Sequence, residues 1–244
     1  MKPLLALGVL AVSLLVTTPH APAGTVYGDP AVPVAGRVLD TVVHTQDPEE
    51  LRYVVLRDLT DRYAERAGIA VTQAEKDAYV EHLRAALQDD RERQATRRAE
   101  LHRQLASGEP GEAERRSLTA EIEALDQLLA SLDALAEENA RSPEETRAAR
   151  DEVAGAFIRQ WKINRALYRE FGGRIIFQQG GPEPLDAYRR FLEASQARGD
   201  FEIRDRDLEA AFWRYYRTDE IHSFFTPGST EEKHVFDAPW WTSH

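Results

Sequence analysis

Apolar residues recur every three or four positions along most of this chain, and the breaks in that spacing mark its elements. Residues 24–45 are rich in Gly, Pro and Val and are expected to be extended or loop. Asp47-Pro48-Glu49-Glu50 reads as a helix start, with Asp47 as N-cap, Pro48 in the first turn and Glu50 closing a box. Leu51, Val54, Val55, Leu59 and Tyr63 form its apolar stripe, and Gly68 ends it. Thr72 and Glu75 form a second capping box, opening a helix from Gln73 to about Leu105.

The turn Ser107-Gly108-Glu109-Pro110-Gly111 is followed by Leu118, Ile122, Leu125, Leu129 and Leu132, spaced 4, 3, 4 and 3 like a coiled-coil seam. The arm before the turn, Arg91 to Leu105, carries five Arg against two Glu; the arm after it, Ser117 to Ala140, carries six acids and no base. Opposite charge on consecutive arms predicts an antiparallel hairpin. Between Leu87 and Leu101 the first arm offers only Ala95 and Ala99 to the Leu/Ile stripe, so Arg stems must cover it or another chain must. The intramolecular arrangement is preferred.

Ser142-Pro143-Glu144-Glu145 starts a further helix, capped by Ser142, that carries Phe157, Trp161, Leu167, Tyr168 and Phe171 and stops at Gly172-Gly173. A short strand is expected over 174–179, a helix over 184–198, a strand at 201–204 and a helix capped by Asp205 or Asp207, then an irregular tail from Phe224. The expected fold is mainly α: a helical segment at 24–84, a charged hairpin at 85–141, and a return helix with a small α+β aromatic-rich part at 142–244.

Composition sharpens this outline. Met1-Lys2-Pro3, the 13-residue apolar run Leu4 to Val16 and the small-residue exit Ala21-Pro22-Ala23 match a secretory signal peptide, with a cut expected after Ala23. That run is shorter than the ~20 residues a spanning helix needs, and none like it follows, so no stable membrane span is expected after cleavage. The implied location is periplasmic or secreted. The chain has no Cys and a net charge of −11, which removes disulfides, Cys-ligated metal and generic nucleic-acid binding. Residues 157–241 hold 17 of the 21 aromatic residues, so an aliphatic, charged middle precedes an aromatic C-terminal part.

Candidate chemistry is sparse. There is no HExxH, GxSxG, P-loop or GxGxxG, so no catalytic residue, cofactor or metal is expected. His222, Glu231, Glu232 and His234 form the only cluster dense enough for a metal, and surface histidines explain it better. Phe157, Trp161, Tyr168 and Phe171 mostly share one helix face that can be core. Trp213 and Tyr216, with Trp240 and Trp241, cannot all point inward from one side, which predicts accessible aromatic surface for apolar peptide. These eight are the candidate peptide-binding residues; closure of the core by the tail aromatics is the alternative.

Two segments resemble the N-terminal domain of SurA-type periplasmic chaperones. Val26-Tyr27-Gly28-Asp29-Pro30 is similar to that domain's opening strand, with Tyr27 where the family usually has Asn. The run Ala67-Gly68-Ile69-Ala70-Val71-Thr72-Gln73-Ala74-Glu75-Lys76-Asp77-Ala78-Tyr79 resembles its helix–turn–helix junction, and the likeness covers roughly residues 25–84. The Pro143–Phe171 helix corresponds to the family's return helix. Parvulin isomerase domains of that family carry Gly-Gly-x-Leu-Gly and paired histidines; Gly172-Gly173-Arg174-Ile175 lacks that continuation. The resemblance therefore implies ATP-independent, cofactor-free binding of extended, aromatic-rich unfolded polypeptide, without isomerase activity. The alternatives are a structural protein docking one dedicated partner and an isomerase-related enzyme.

Overall fold

The computed structural model describes residues 25–108, 111–141, 143–178 and 180–242. The leader with its predicted cut, and Ser142 as a cap, lie outside the described residues. The protein is mainly helical, with a four-stranded sheet and a small hairpin. Its described residues divide into two compact units that do not follow chain order: 25–70 with 156–237, and 71–155 with 238–242. The partition expected at 84/85 and 141/142 therefore differs from the one the contacts make, because α4 (Pro143–Phe171) belongs to both units.

In the first unit, the Gly/Pro/Val segment is three strands rather than loop: β1 (Val26–Tyr27), β2 (Val34–Val38) and β3 (Thr41–His44). β2 and β3 form an antiparallel hairpin turned at Leu39-Asp40, with Leu39 at φ 49°. The Arg37 guanidinium donates to the Leu39 carbonyl, and Leu39 N–H donates to Asp200 O at 2.7 Å. β1 joins β3 in parallel, and β6 (Phe201–Ile203) joins β2 antiparallel, giving the order β1-β3-β2-β6. At Gly36 the strands run so close that a Cβ would lie 2.1 Å from Glu202 O, so this position admits no side chain.

Helix α1 (Pro48–Arg66) begins as predicted, with the Asp47 side chain accepting from Glu49 N–H and Pro48 in the first turn. Glu50 does not close the box; it accepts from the Thr45 hydroxyl instead. The helix ends in a Schellman turn in which Ile69 N–H bonds Ala64 O and Gly68 N–H bonds Glu65 O, with Gly68 at φ 63°. Leu51, Val54, Val55 and Leu59 are buried in the same core cluster as Ile163 and Leu167 of α4. Tyr63 donates to Glu170 and Arg159 pairs with Asp61, which ties α4 to α1 in this unit.

After Gly172, β4 (Ile176–Gln178) pairs with β5 (Gly181–Glu183), a strand the sequence reading missed. Helix α5 (Leu185–Ala197) and helix α6 (Arg206–Arg217) follow, the latter capped by Asp205 as expected. The tail is not wholly irregular: α7 (Thr230–His234) and a 3-10 turn at Trp240–Thr242 are formed.

The second unit is built on the hairpin of α2 (Gln73–Ser107) and α3 (Glu112–Arg141). The Thr72–Glu75 capping box forms reciprocally. Arg91–Asp133, Arg97–Glu121 and Arg98–Asp126 pair across the arms, the antiparallel register that their charges predict. Leu101 is fully buried against Ile122 and Leu125, with Leu105 and Leu118 beside them. Toward the other end Arg91, Gln94, Ala95 and Arg98 are half-buried, and Arg91 and Arg98 pair across to α3; Ala99, expected to face the stripe, is exposed.

Candidate functional site

An apolar groove of about 870 Å³ lies within the second unit, between α2, α3 and the first turns of α4. Leu83 and Leu87 of α2, Leu132 and Ala136 of α3, and Ala149 and Val153 of α4 supply its apolar lining. The groove is open for a chemical reason. Opposite Leu83 and Leu87, α4 presents Glu145, Thr146, Ala149 and Arg150, which are too small or too polar to fill the space. Leu83 and Leu87 therefore stay 37% and 51% exposed, among the few large hydrophobic residues that do. Arg84, Arg91 and Arg150 edge the groove; Arg84 pairs with Glu81, Arg91 with Asp133, and Arg150 Nε donates to Thr146 O.

Tyr79 also lines the groove. The chain's own tail sits against this residue: Tyr79 meets Trp240 and Trp241 edge-on at 5.7 and 5.3 Å, and His82 meets Trp240 at 5.5 Å. Trp241 is buried, whereas Trp240 stays 39% exposed. Burial pushes the Tyr79 hydroxyl up to about 12, so it is uncharged throughout the neutral range. A groove of this kind, apolar on its floor and bordered by guanidinium groups, can hold an apolar polypeptide segment without performing bond chemistry on it.

Of the eight aromatic candidates, only Trp240 and Trp241 belong to this unit. The other six lie in the first unit, and most serve as core. Trp213 and Tyr216 are buried beside Phe212, with ring centroids 5.2 and 5.9 Å from it. Trp161 is buried and lies 6.5 Å from Phe236. Tyr168 is half-buried 5.3 Å from the same ring, and Phe171 half-buried 6.2 Å from Phe191. Phe157 is half-buried. The accessible aromatic surface expected at Trp213 and Tyr216 is not present, because α6 turns both into a core roofed by the sheet and α5. The groove leucines were missed by the sequence reading. Tyr79, Val80, Leu83 and Leu87 continue a three-and-four stripe that the polar start of α4 cannot match, and that mismatch was the available signal.

A polar network crosses the first unit. Gln160 donates to the Tyr188 hydroxyl, Tyr188 donates to Asn164 Oδ1, and Asn164 donates to Pro182 O, all at 2.7–2.9 Å. Beside it the Tyr215 hydroxyl lies 3.3 Å from both Glu183 oxygens and accepts from Gln178 at 2.8 Å, with Arg52 over its ring. Burial pushes the Glu183 carboxyl up to about 7, only partly offset by Tyr215 and Arg52. Its contacts tie the β4–β5 hairpin to α6.

The histidine cluster does not assemble. His222 is bonded to Tyr215 O at 2.6 Å and His234 to Asp237. Among the described residues no group of three or more His, Asp or Glu could hold a metal ion, and no helix is long and apolar enough to cross a membrane. Gly172 and Gly173, at φ 62° and 101°, end α4 and lead into β4. The chain matches no family profile, no curated protein and no solved structure in the three comparisons made.

Proposed function

We propose that this chain is an exported, ATP-independent chaperone or assembly factor that holds extended apolar segments of unfolded, extracytoplasmic polypeptides and leaves their prolines unisomerised. The observation that carries this reading is the open groove with exposed Leu83 and Leu87 on its floor. Exposed leucines in a lined trough are costly to leave in water and are what an apolar client covers. The SurA-like run through Ala67–Tyr79 leads directly into that groove, and the signal-like leader supplies the export. Trp240, in edge-on contact with the lining residue Tyr79, adds partly exposed aromatic surface next to it.

The test is suppression of aggregation of a urea-unfolded outer-membrane protein by the chain from Gly24. Suppression is expected at equimolar ratio, and loss of it in a Leu83→Ser/Leu87→Ser double variant whose far-UV circular dichroism is unchanged. Absence of suppression at several-fold excess ends the reading. A second reading, a structural protein docking one dedicated partner, draws on the fixed three-helix lining of the same groove. A single stoichiometric partner in crosslinked pull-downs, with no unfolded clients, favours it.

A further inference from the structure

The first unit holds a second cavity whose chemistry differs from that of the groove. It is an open pocket of about 560 Å³ lined by Gly68, Ile69 and Ala70 beyond α1 and by one face of α4. That face carries Lys162, Arg165 and Arg169, spaced so that all three project to the same side, with Glu170 the one acid in the lining. Glu170 is already engaged, accepting from the Tyr63 hydroxyl at 2.9 Å, and Lys162 donates to Ala70 O at 2.6 Å. Arg169 is exposed and makes no ion pair among the described residues.

Arg165 supplies the second observation. Its guanidinium lies over the Trp161 ring at 5.2 Å and donates through Nη2 to Asp237 O at 3.2 Å. Its Nε is buried and has no acceptor among the described residues. A charged donor left in that state asks for an acceptor. Asp237 contributes a carbonyl here, and its carboxylate pairs with His234.

We propose that this pocket binds an oxyanion carried on a small apolar body, with Arg165 and Arg169 as its two cationic partners. Guanidinium groups recognise planar carboxylate and tetrahedral phosphate alike, and that oxyanion is the shared chemistry. Ile69, Ala70 and Ala166 give the attached body an apolar wall, and the pocket is too large for a bare ion alone. The proposal stands apart from the chaperone reading, since it uses none of the groove residues.

The experiment follows the Arg165 Nε–H resonance of the uniformly ¹⁵N-labelled chain from Gly24, assigned by its loss in Arg165→Lys. Inorganic phosphate and acetate are titrated separately at constant ionic strength, with chloride as the reference. A saturable shift with either oxyanion, weakened about tenfold in the exposed-site variant Arg169→Gln, is the expected result. A shift with phosphate alone or acetate alone identifies the source of the anion. A response that is absent, that never saturates, that chloride reproduces, or that Arg169→Gln leaves unchanged overturns the proposal.

Discussion

The two units solve burial in opposite ways. The first wraps a four-stranded sheet with α1, α5, α6 and the second half of α4, so aromatic rings such as Phe201, Phe212 and Tyr216 meet neighbours on every side. The second rests on a two-helix seam in which a small cluster of Leu101, Ile122 and Leu125 is buried and Arg91 and Arg98 lie half-buried at positions a larger core would give to leucine. A seam one layer deep removes less apolar area from water per residue than a core closed all round, so it is the part expected to open locally. The same thinness leaves Leu83 and Leu87 uncovered at the base of the hairpin. Open apolar surface and thin packing are here one property.

That contrast can be broken at graded cost. The largest effect is expected at Phe212→Ala, which empties a fully buried site in the first unit and should cost about 3–5 kcal/mol in denaturant unfolding. A loss below about 1 kcal/mol would mean that this core is loosely packed.

Glu183 comes next, through pH. Its folded carboxyl holds its proton up to about 7 against an ordinary 4.5, so the folded form binds more protons than the unfolded chain between those values. Stability is therefore fully present below the window and declines as pH rises through it, by at most about 3 kcal/mol. Glu183→Gln should raise the melting temperature at pH 8 and change it little at pH 4. An equal effect at both pH values would assign the residue's role to packing instead.

In the second unit, Leu101→Ala should cost about 2 kcal/mol, the low end for a buried leucine, because two helices can close on the gap. Hydrogen exchange should quicken in α2 and α3 while β2 and β6 stay protected. Equal loss of protection in the sheet would show that the units unfold together. Smallest of all, Asp126→Asn, which breaks the exposed Arg98 pair, should cost less than about 1 kcal/mol and should be masked at high salt.

Element starts were the most legible feature. Asp47, Thr72 and Asp205 each cap the helix their spacing announces, since a cap needs only a short polar side chain and its own next three residues. The hairpin was equally readable, because oppositely charged arms around a Gly-Pro turn leave one register in which Arg91, Arg97 and Arg98 all find acids. The strands were less so. Val34–Val38 and Thr41–His44 are short and interrupted by Gly36, and their fourth partner, Phe201–Ile203, lies more than 150 residues away. The aromatic candidates failed as surface for a related reason. Trp213 and Tyr216 look redundant along one helix, and only the convergence of α5, β6 and α1 gives each a neighbour.

The sequence by itself determined where the helices begin, where the hairpin turns and which arm pairs with which, because capping, periodicity and charge act over a few residues or one turn. The tertiary structure alone decided what is covered. It buried four of the eight aromatic candidates, half-buried three more, and left bare two leucines that the sequence pattern had not singled out. Burial depends on whether another segment arrives with side chains long enough to fill the space, and the polar, short side chains at the start of α4 do not fill the one beside Leu83 and Leu87.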